Sequence, residues 1–281
     1  MRKVWLAFFG ILGALLILLP AAYLSGVLTD KPERLILATT TSTKNSGLLG
    51  QLLPTFEQRF NVKVDVVAVG SGQALALAAR GDADVVLSHA PNLEEEFMAQ
   101  GYGSVRWKVM YNEFVLVGPP EDPAGIARSS NASLALEAVA QNHSLFISRN
   151  DNSGTHNKER ELWAAIGQDP AALGPWYLKV GKGMEETLQI AEEKEAYTLS
   201  DEGTFYALED KLSLSILYRG GEDLFNQYRV IVVNPARHLS VNSQAALQFA
   251  EWITSEEAQT RIGGYRVGTH QLFTQNQDRR P

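Results

Sequence analysis

The sequence repeatedly alternates a short apolar run with a longer segment of helical periodicity. The first apolar run, at 35–38, is followed by apolar residues over 48–60 at spacings of one, three and four, the stripe of an amphipathic helix. We expect Pro54 to kink this helix and Asn61 to end it. A further apolar run at 62–69 predicts the next strand. Strands alternating with helices predict an α/β protein with a mostly parallel sheet covered by helices on both faces.

The alternation is interrupted by a rigid polar segment, GPPEDP at 118–123, which is the best candidate for a lobe boundary. The remaining predicted elements are helices at 73–80, 94–100, 133–141, 154–166, 184–193, 245–253 and 256–262, and strands at 85–87, 113–117, 144–148, 196–199, 215–218 and 228–233. Because the C-terminal part has few strands of its own, we expect its helices to return to the first lobe. The prediction is two α/β lobes, 33–117 with 230–275 and 118–229, joined by two crossing segments. A length of 281 residues is consistent with two lobes.

The first 30 residues predict an export signal or a membrane anchor. Arg2 and Lys3 precede an uninterrupted run of apolar or glycine residues at 4–19. The uncharged stretch at 4–28 is long enough to span a hydrocarbon core of about 30 Å. Residues 21–26 offer no clean pair of small residues for cleavage, so a cleaved signal and a retained helix both stay open. Positive charge before the apolar run places the rest of the chain outside the cytoplasm in either case.

Composition excludes several classes of function. The chain has no cysteine, which removes thiol catalysis, disulfides, thiolate metal sites and cysteine-linked lipids. A formal net charge of −7 argues against a nucleic-acid partner. The five histidines show no metal-binding spacing, so we expect no free metal cation and no cofactor. His89 and His238 are interpreted as structural groups.

Enzyme motifs are weak or absent. Gly70-x-Gly72 follows a predicted strand, but Leu75 replaces the third glycine of a dinucleotide-binding loop. Ser153 and His156 lack the G-x-S-x-G turn of a nucleophile. The sequence also contains no phosphate-binding P-loop. We therefore expect a binding protein and place an enzyme last among the alternatives.

Three predicted strand-to-helix loops are rich in hydrogen-bond donors. They are TTTS at 39–42, GSG at 70–72 and SRNDNSGTH at 148–156. Taken singly, such segments are more typical of helix caps and turns than of ligand sites. Ligands of open α/β sheets, however, bind outside the carboxyl ends of strands, and all three loops occupy that position. Together they predict a donor-rich cleft.

At these residues the chain resembles the tungstate-binding substrate-capture proteins of bacterial ABC importers. The resemblance covers 35–262 and rests on seven segments: the three loops, with the second extended to VGSGQAL at 69–75, GDADVVLSHAP at 81–91, VMYNEFVLVGPPEDPAGI at 109–126, AYTLSDEGT at 196–204 and VIVVNP at 230–235. The family's version of the third loop reads SRGDDSGTH. Asn150 and Asn152 therefore replace a glycine and an aspartate, which removes one carboxylate beside the expected site.

The resemblance implies a type II periplasmic-binding-protein fold whose two lobes close over one oxyanion. It implies tungstate as the ligand, and an ABC permease and ATPase as partners. Tungstate is a deprotonated dianion, so its site needs donors rather than acceptors. The expected ligand-binding residues are Thr40, Thr41, Ser42, Ser71, Arg149, Ser153 and Thr155. Two alternatives stay open: binding of molybdate or another oxyanion, and a membrane-anchored oxyanion sensor.

Overall fold

The computed structural model describes residues 31–276, so the predicted signal or anchor at 1–30 lies outside the described residues. The strands are β1 (Glu33–Thr40), β2 (Val62–Val69), β3 (Val85–Ser88), β4 (Gly103–Gly118), β5 (Phe146–Ser148), β6 (Tyr177–Lys179), β7 (Tyr197–Asp201), β8 (Ser215–Arg219), β9 (Phe225–Val233), β10 (Arg266–Val267), β11 (His270–Gln271) and β12 (Thr274–Gln275). The α-helices are α1 (Thr41–Asn45), α2 (Leu48–Phe60), α3 (Ser71–Ala79), α4 (Pro91–Ala99), α5 (Ala132–Gln141), α6 (Gly154–Ala165), α7 (Met184–Glu193), α8 (Glu202–Leu208), α9 (Ser243–Ile253) and α10 (Glu256–Gly264). None of these helices is long and apolar enough to cross a membrane.

The main sheet has the strand order β2-β1-β3-β9-β4-β7-β5-β6, with β8 and β12 also paired to β4. Pairing is parallel between β1 and β3 and where β5 meets β6 and β7. At the centre, β9 runs antiparallel to β3 and β4, and β4 runs antiparallel to β7. The sheet is therefore mixed, and the expectation of a mostly parallel sheet is wrong for its centre. The reason is that β4 and β9 run through the middle of the sheet in opposite directions.

Separate hydrophobic cores lie on either side of the centre of the sheet. Within β4, Val109 and Met110 pack into a core with α2 and α9, whereas Phe114 and Leu116 pack into a core with α5 and α6. β9 also divides its side chains, because Val230 and Val232 join the first of these cores whereas Ile231 and Val233 join another one with α3. Both central strands thus contribute to more than one core. The predicted lobe bounds, 33–117 with 230–275 and 118–229, stay a prediction.

Local signals in the sequence locate most element ends. The α2 helix contains Pro54 and ends at Asn61, which adopts the left-handed conformation at φ 52°. Gly81 and Gly101 follow α3 and α4 with φ of 79° and 75°, as expected of glycines after a helix. The largest difference is β4, which covers 16 residues although only 113–117 was predicted. Its first part carries charged residues and owes its extended form to pairing with β9.

Candidate functional site

The first donor loop follows β1 and consists mainly of a helix cap. The hydroxyl of Thr40 accepts a hydrogen bond from the backbone N–H of Thr43 at 3.2 Å and shares another with the Thr43 hydroxyl at 2.6 Å. Thr41 is half-buried and Ser42 is buried in the short helix α1 that follows. Helix α1 lies against β2 and against α8. The capping interpretation is therefore correct for the Thr40 oxygen, and the cap fixes where Thr41 and Ser42 point.

The second donor loop places a buried hydroxyl at the start of α3. Ser71 is 0% exposed, and its Oγ has no hydrogen-bond partner within residues 31–276. The third donor loop passes close to the glycines on both sides of Ser71. A Cβ at Gly70 would lie 3.6 Å from the Asp151 carbonyl oxygen, and one at Gly72 would lie 2.7 Å from Asn152 Nδ2. The fold therefore brings the second and third loops into contact.

The third donor loop buries a guanidinium group. Arg149 follows β5 and is only 3% exposed. Its Nη2 donates to Asp151 Oδ2 at 2.6 Å and its Nη1 points to Thr155 Oγ1 at 3.5 Å. Its Nε has no partner in the part of the chain that the structure describes. Arg149 thus forms an ion pair with Asp151 but is itself buried, where a charge needs compensation.

Asp151 and Ser153 give this loop its shape. Asp151 Oδ1 accepts from the backbone N–H of Ser153 at 3.1 Å, while its other oxygen holds Arg149. The Ser153 hydroxyl caps α6 by accepting from the N–H of His156 at 3.2 Å. Ser153 and Thr155 are both buried at the first turn of α6, where free N–H groups favour an anion. Contacts within this loop thus hold Arg149, Ser153 and Thr155 close together.

The two departures from the family loop fit the backbone. Asn150 and Asn152 have φ of 47° and 57°, in the left-handed region. Glycine, asparagine and aspartate are the residues that adopt this region most readily, so asparagine can replace the other two there. The N–H of Asn152 donates to His156 Nδ1 at 3.0 Å. Burial lowers the pKa of His156, which keeps this ring nitrogen available as an acceptor.

Two residues that the sequence analysis did not assign to the site border it. His89 follows β3, stacks on Tyr228 with ring centroids 4.6 Å apart, and pairs through Nδ1 with Asn226 Oδ1 at 2.9 Å. Burial lowers its pKa to about 4, against the opposing effect of nearby Asp201, so the ring is neutral at pH 7. Both histidines interpreted as structural groups thus have a protein partner, since His238 Nε2 lies 2.8 Å from the Ala79 carbonyl oxygen.

Asp201 is the other addition, at the end of β7. Its carboxylate caps α8 by accepting from the backbone N–H and the hydroxyl of Thr204, both at 2.9 Å. The signal for this loop was present in the sequence, since a polar Asp-Glu-Gly-Thr run directly follows an apolar strand. The same strand-to-helix position that singled out the three donor loops singles out this one.

The second and third donor loops together form a candidate site with unpaired buried donors and with its negative groups already engaged. In the described part of the chain, Ser71 Oγ and Arg149 Nε have no acceptor, whereas Asp151 and Asp201 are occupied by internal donors. Within residues 31–276, no group of three or more histidine, aspartate or glutamate side chains could hold a metal ion. Such an arrangement suits a small anion.

The space around Gly154 shows how closely the third donor loop packs against His89. A Cβ there would lie 2.7 Å from the His89 ring and 3.0 Å from the His89 carbonyl oxygen, and both are buried. We expect Gly154→Ala to lower the free energy of unfolding by about 1–3 kcal/mol, because the loop must shift. Gly50→Ala in α2 is the matched control, since nothing lies within 4 Å of its added Cβ. It should be neutral or stabilising by up to about 1 kcal/mol. Equal urea-unfolding free energies for the two variants would contradict close packing of Gly154 against His89.

Comparison with known proteins places this geometry in a family. The model of the PBP superfamily domain matches residues 27–257. The tungstate-binding protein TupA of Peptoclostridium acidaminophilum is 45% identical over 252 residues, covering 88% of this chain and 87% of that protein. The structure of the tungstate ABC transporter from Geobacter sulfurreducens has a TM-score of 0.76 at 49% identity, covering 83% of this chain and 99% of that one. The tungstate-binding protein TupA from Desulfovibrio alaskensis G20 gives 0.74 at 40%, covering 87% and 99%. The chain belongs to the PBP superfamily and, within it, to the family of the tungstate-binding proteins.

Proposed function

We propose that this protein captures tungstate outside the cytoplasm and delivers it to the permease and ATPase of an ABC importer. It acts as a binding protein and not as an enzyme. The single observation that carries the proposal is the buried Arg149 guanidinium, whose Nε has no partner among residues 31–276. Arg149 lies in the third donor loop, which contacts the second. In this proposal two lobes, 33–117 with 230–275 and 118–229, close over the ion. The relatives named above support tungstate as the ion.

The chemistry of the ion explains the choice of residues. Tungstate offers four oxygen acceptors and no donor, so hydroxyls, backbone N–H groups and a guanidinium are suitable ligands. We assign Thr41, Ser42 and Ser71 from one side, and Arg149, Ser153 and Thr155 from the other. Thr40 belongs to the same set, with its oxygen holding the α1 cap while its loop presents the neighbouring donors.

The interactions are strong enough for tight binding. Charge-assisted hydrogen bonds contribute roughly 1.5–3 kcal/mol each, and a helix N-terminus contributes roughly 0.3–2 kcal/mol. Several of each reach the roughly 12 kcal/mol that nanomolar affinity requires. Helices α3 and α6 both begin at the site, at Ser71 and Gly154. The arrangement does not distinguish tungstate from molybdate, which has nearly the same size and charge.

Calorimetric titration of the purified chain with tungstate, molybdate, sulfate and phosphate tests the proposal. We expect tight binding of tungstate, and a rise in stability of about 2.7 kcal/mol when the ion is present at about 100 times its dissociation constant. The melting temperature should rise much less with sulfate, a smaller tetrahedron. Equal shifts from tungstate and sulfate would contradict the selectivity, and tighter binding of molybdate would establish the alternative ligand. Binding without any contact to an importer would favour the sensor.

Arg149 is the residue whose change should matter most. Arg149→Ala should weaken tungstate binding by roughly 1.5–3 kcal/mol, which is about tenfold to a hundredfold. Arg149→Lys should recover part of this loss, since an ammonium restores the charge without the planar fork. Thr155→Ala removes a neutral donor and should cost less. Arg80→Ala is the matched control, because this arginine is largely exposed and pairs with Asp82.

The dissociation constant and the urea-unfolding free energy are measured for each of these variants. If Arg149→Ala binds as tightly as the unmodified protein, the third loop is not part of the site. If Arg80→Ala weakens binding equally, the effect is general electrostatics.

We further propose that residues 4–28 stay attached as an inner-membrane anchor in a substantial fraction of the protein. The support is their apolar length together with the poor cleavage pattern at 21–26. Membrane fractions of cells that produce the full chain should contain the intact N-terminus by mass spectrometry. A mature N-terminus between residues 22 and 32 in all of the material would contradict the anchor.

A further inference from the structure

A buried carboxyl group lies directly behind the third donor loop. Glu159 is one helical turn beyond Thr155 on α6, about 6 Å along the helix axis. It is 2% exposed, and the Tyr177 hydroxyl on β6 donates a hydrogen bond to its Oε1. None of the ion pairs found among residues 31–276 includes Glu159, while its neighbour Lys158 pairs with Glu161 at 2.9 Å. The carboxyl group is thus buried without a cation to balance it.

The groups facing Glu159 come from every element packed around it. Besides Tyr177 on β6, they are the Ser148 hydroxyl on β5, the Trp163 indole on α6 and the Asp151 carboxylate of the third loop. Ser148 Oγ and Trp163 Nε1 face the carboxyl group, but neither atom is at the distance and angle of a regular hydrogen bond to it. Two cations act on Tyr177 rather than on the carboxyl group itself: Arg160 on α6, and Lys179 on β6, whose Nζ lies 5.7 Å from the centre of the Tyr177 ring. The surroundings therefore combine burial, three hydrogen-bond donors and one like charge.

Burial shifts this carboxyl group toward the protonated acid. It raises the pKa of Glu159 to about 7, against the opposing effect of the Tyr177, Ser148 and Trp163 donors, and the charge of Asp151 adds to the rise. His89 and His156 also lie near the site, but burial lowers the pKa of both rings. Glu159 is consequently the group of this cluster that titrates around neutral pH.

An anion bound at the first turn of α6 would place negative charge about one helical turn from Glu159. A second negative charge close to a buried carboxyl group disfavours its ionised form. By linkage, binding of the anion and binding of a proton to Glu159 must then strengthen each other. The proton comes from solvent and is placed on a carboxylate oxygen, with no other bond made or broken.

We propose that Glu159 is a positioning residue that takes up a proton when the neighbouring loop captures its oxyanion, which makes capture stronger in mildly acidic than in mildly basic solution. This inference rests on the proposed function. Glu159 touches no ligand in it and acts through β5 and α6, which hold Arg149 and Thr155. The affinity is highest below the pKa of Glu159 in the free protein and falls as the pH rises through it.

The test is calorimetric titration of the full chain with tungstate from pH about 6.5 to about 8.5, in buffers of different ionisation enthalpy. Tungstate keeps its double negative charge over this range. The unmodified protein should bind at least about threefold more weakly at the basic end, and should take up a fraction of a proton near neutral pH. Glu159→Gln should keep the affinity of the acidic end at every pH and take up no proton. Tyr177→Phe removes a donor that favours the carboxylate, so it should raise the pKa of Glu159 and shift the fall in affinity to higher pH.

Glu161→Gln is the matched control. It makes the same chemical change on the same helix at a half-buried site that is already paired with Lys158, and it should keep the pH profile of the unmodified protein. A flat profile in the unmodified protein, or an unchanged slope in Glu159→Gln, overturns the inference while leaving tungstate capture intact. Failure of the unmodified protein to bind tungstate at any pH overturns the proposed function and this inference together.

Discussion

The pairing of β4 with β9 is the interaction on which the rest of this structure depends. The two antiparallel strands are in register from Gly103 opposite Val233 to Glu113 opposite Phe225, with two irregularities along the way. On one side β9 continues the sheet to β3 and β1, and on the other β4 continues it to β7 and β5. The donor loops follow β1, β2 and β5, and these strands reach the central pair through one or two intervening strands. The pair therefore connects the two parts of the sheet that carry the loops.

The candidate site buries the positive charge of Arg149 and compensates it only in part. Burying a guanidinium without compensation is costly, and Asp151 provides part of the compensation at 2.6 Å. The same aspartate holds the backbone of Ser153, so the orientation of Arg149 and the start of α6 are coupled. Among residues 31–276, Arg149 Nε and the Ser71 hydroxyl have no acceptor, and in the proposed function the oxyanion supplies one. Glu159 lies behind this loop, and in the further inference its protonation responds to the charge of the ion.

Much of the local structure follows from short-range signals. The bounds of β2, the end of α2 at Asn61 and the glycines after α3 and α4 all agree with the sequence patterns. The donor loops were found because hydroxyl, glycine and arginine residues directly follow apolar strands. The oxyanion assignment itself came from the resemblance to a family, and the roles of the seven predicted ligands stay a prediction. The first part of β4 was missed because alternating charged and apolar residues do not show where a pairing partner lies.

The sequence by itself determined the α/β alternation, the strand-to-helix positions of the donor loops and the family to which they point, because each depends on residues close together in the chain. Only the tertiary structure decided that the central strands run antiparallel, that Arg149 is buried and that Asp201 and His89 border the same site. It also placed Tyr177 against Glu159, 18 residues earlier in the chain. These features depend on which strands become neighbours and how much water they exclude, since burial and the approach of distant charges set the state of an ionisable group. A local sequence pattern determines neither the strand neighbours nor the burial.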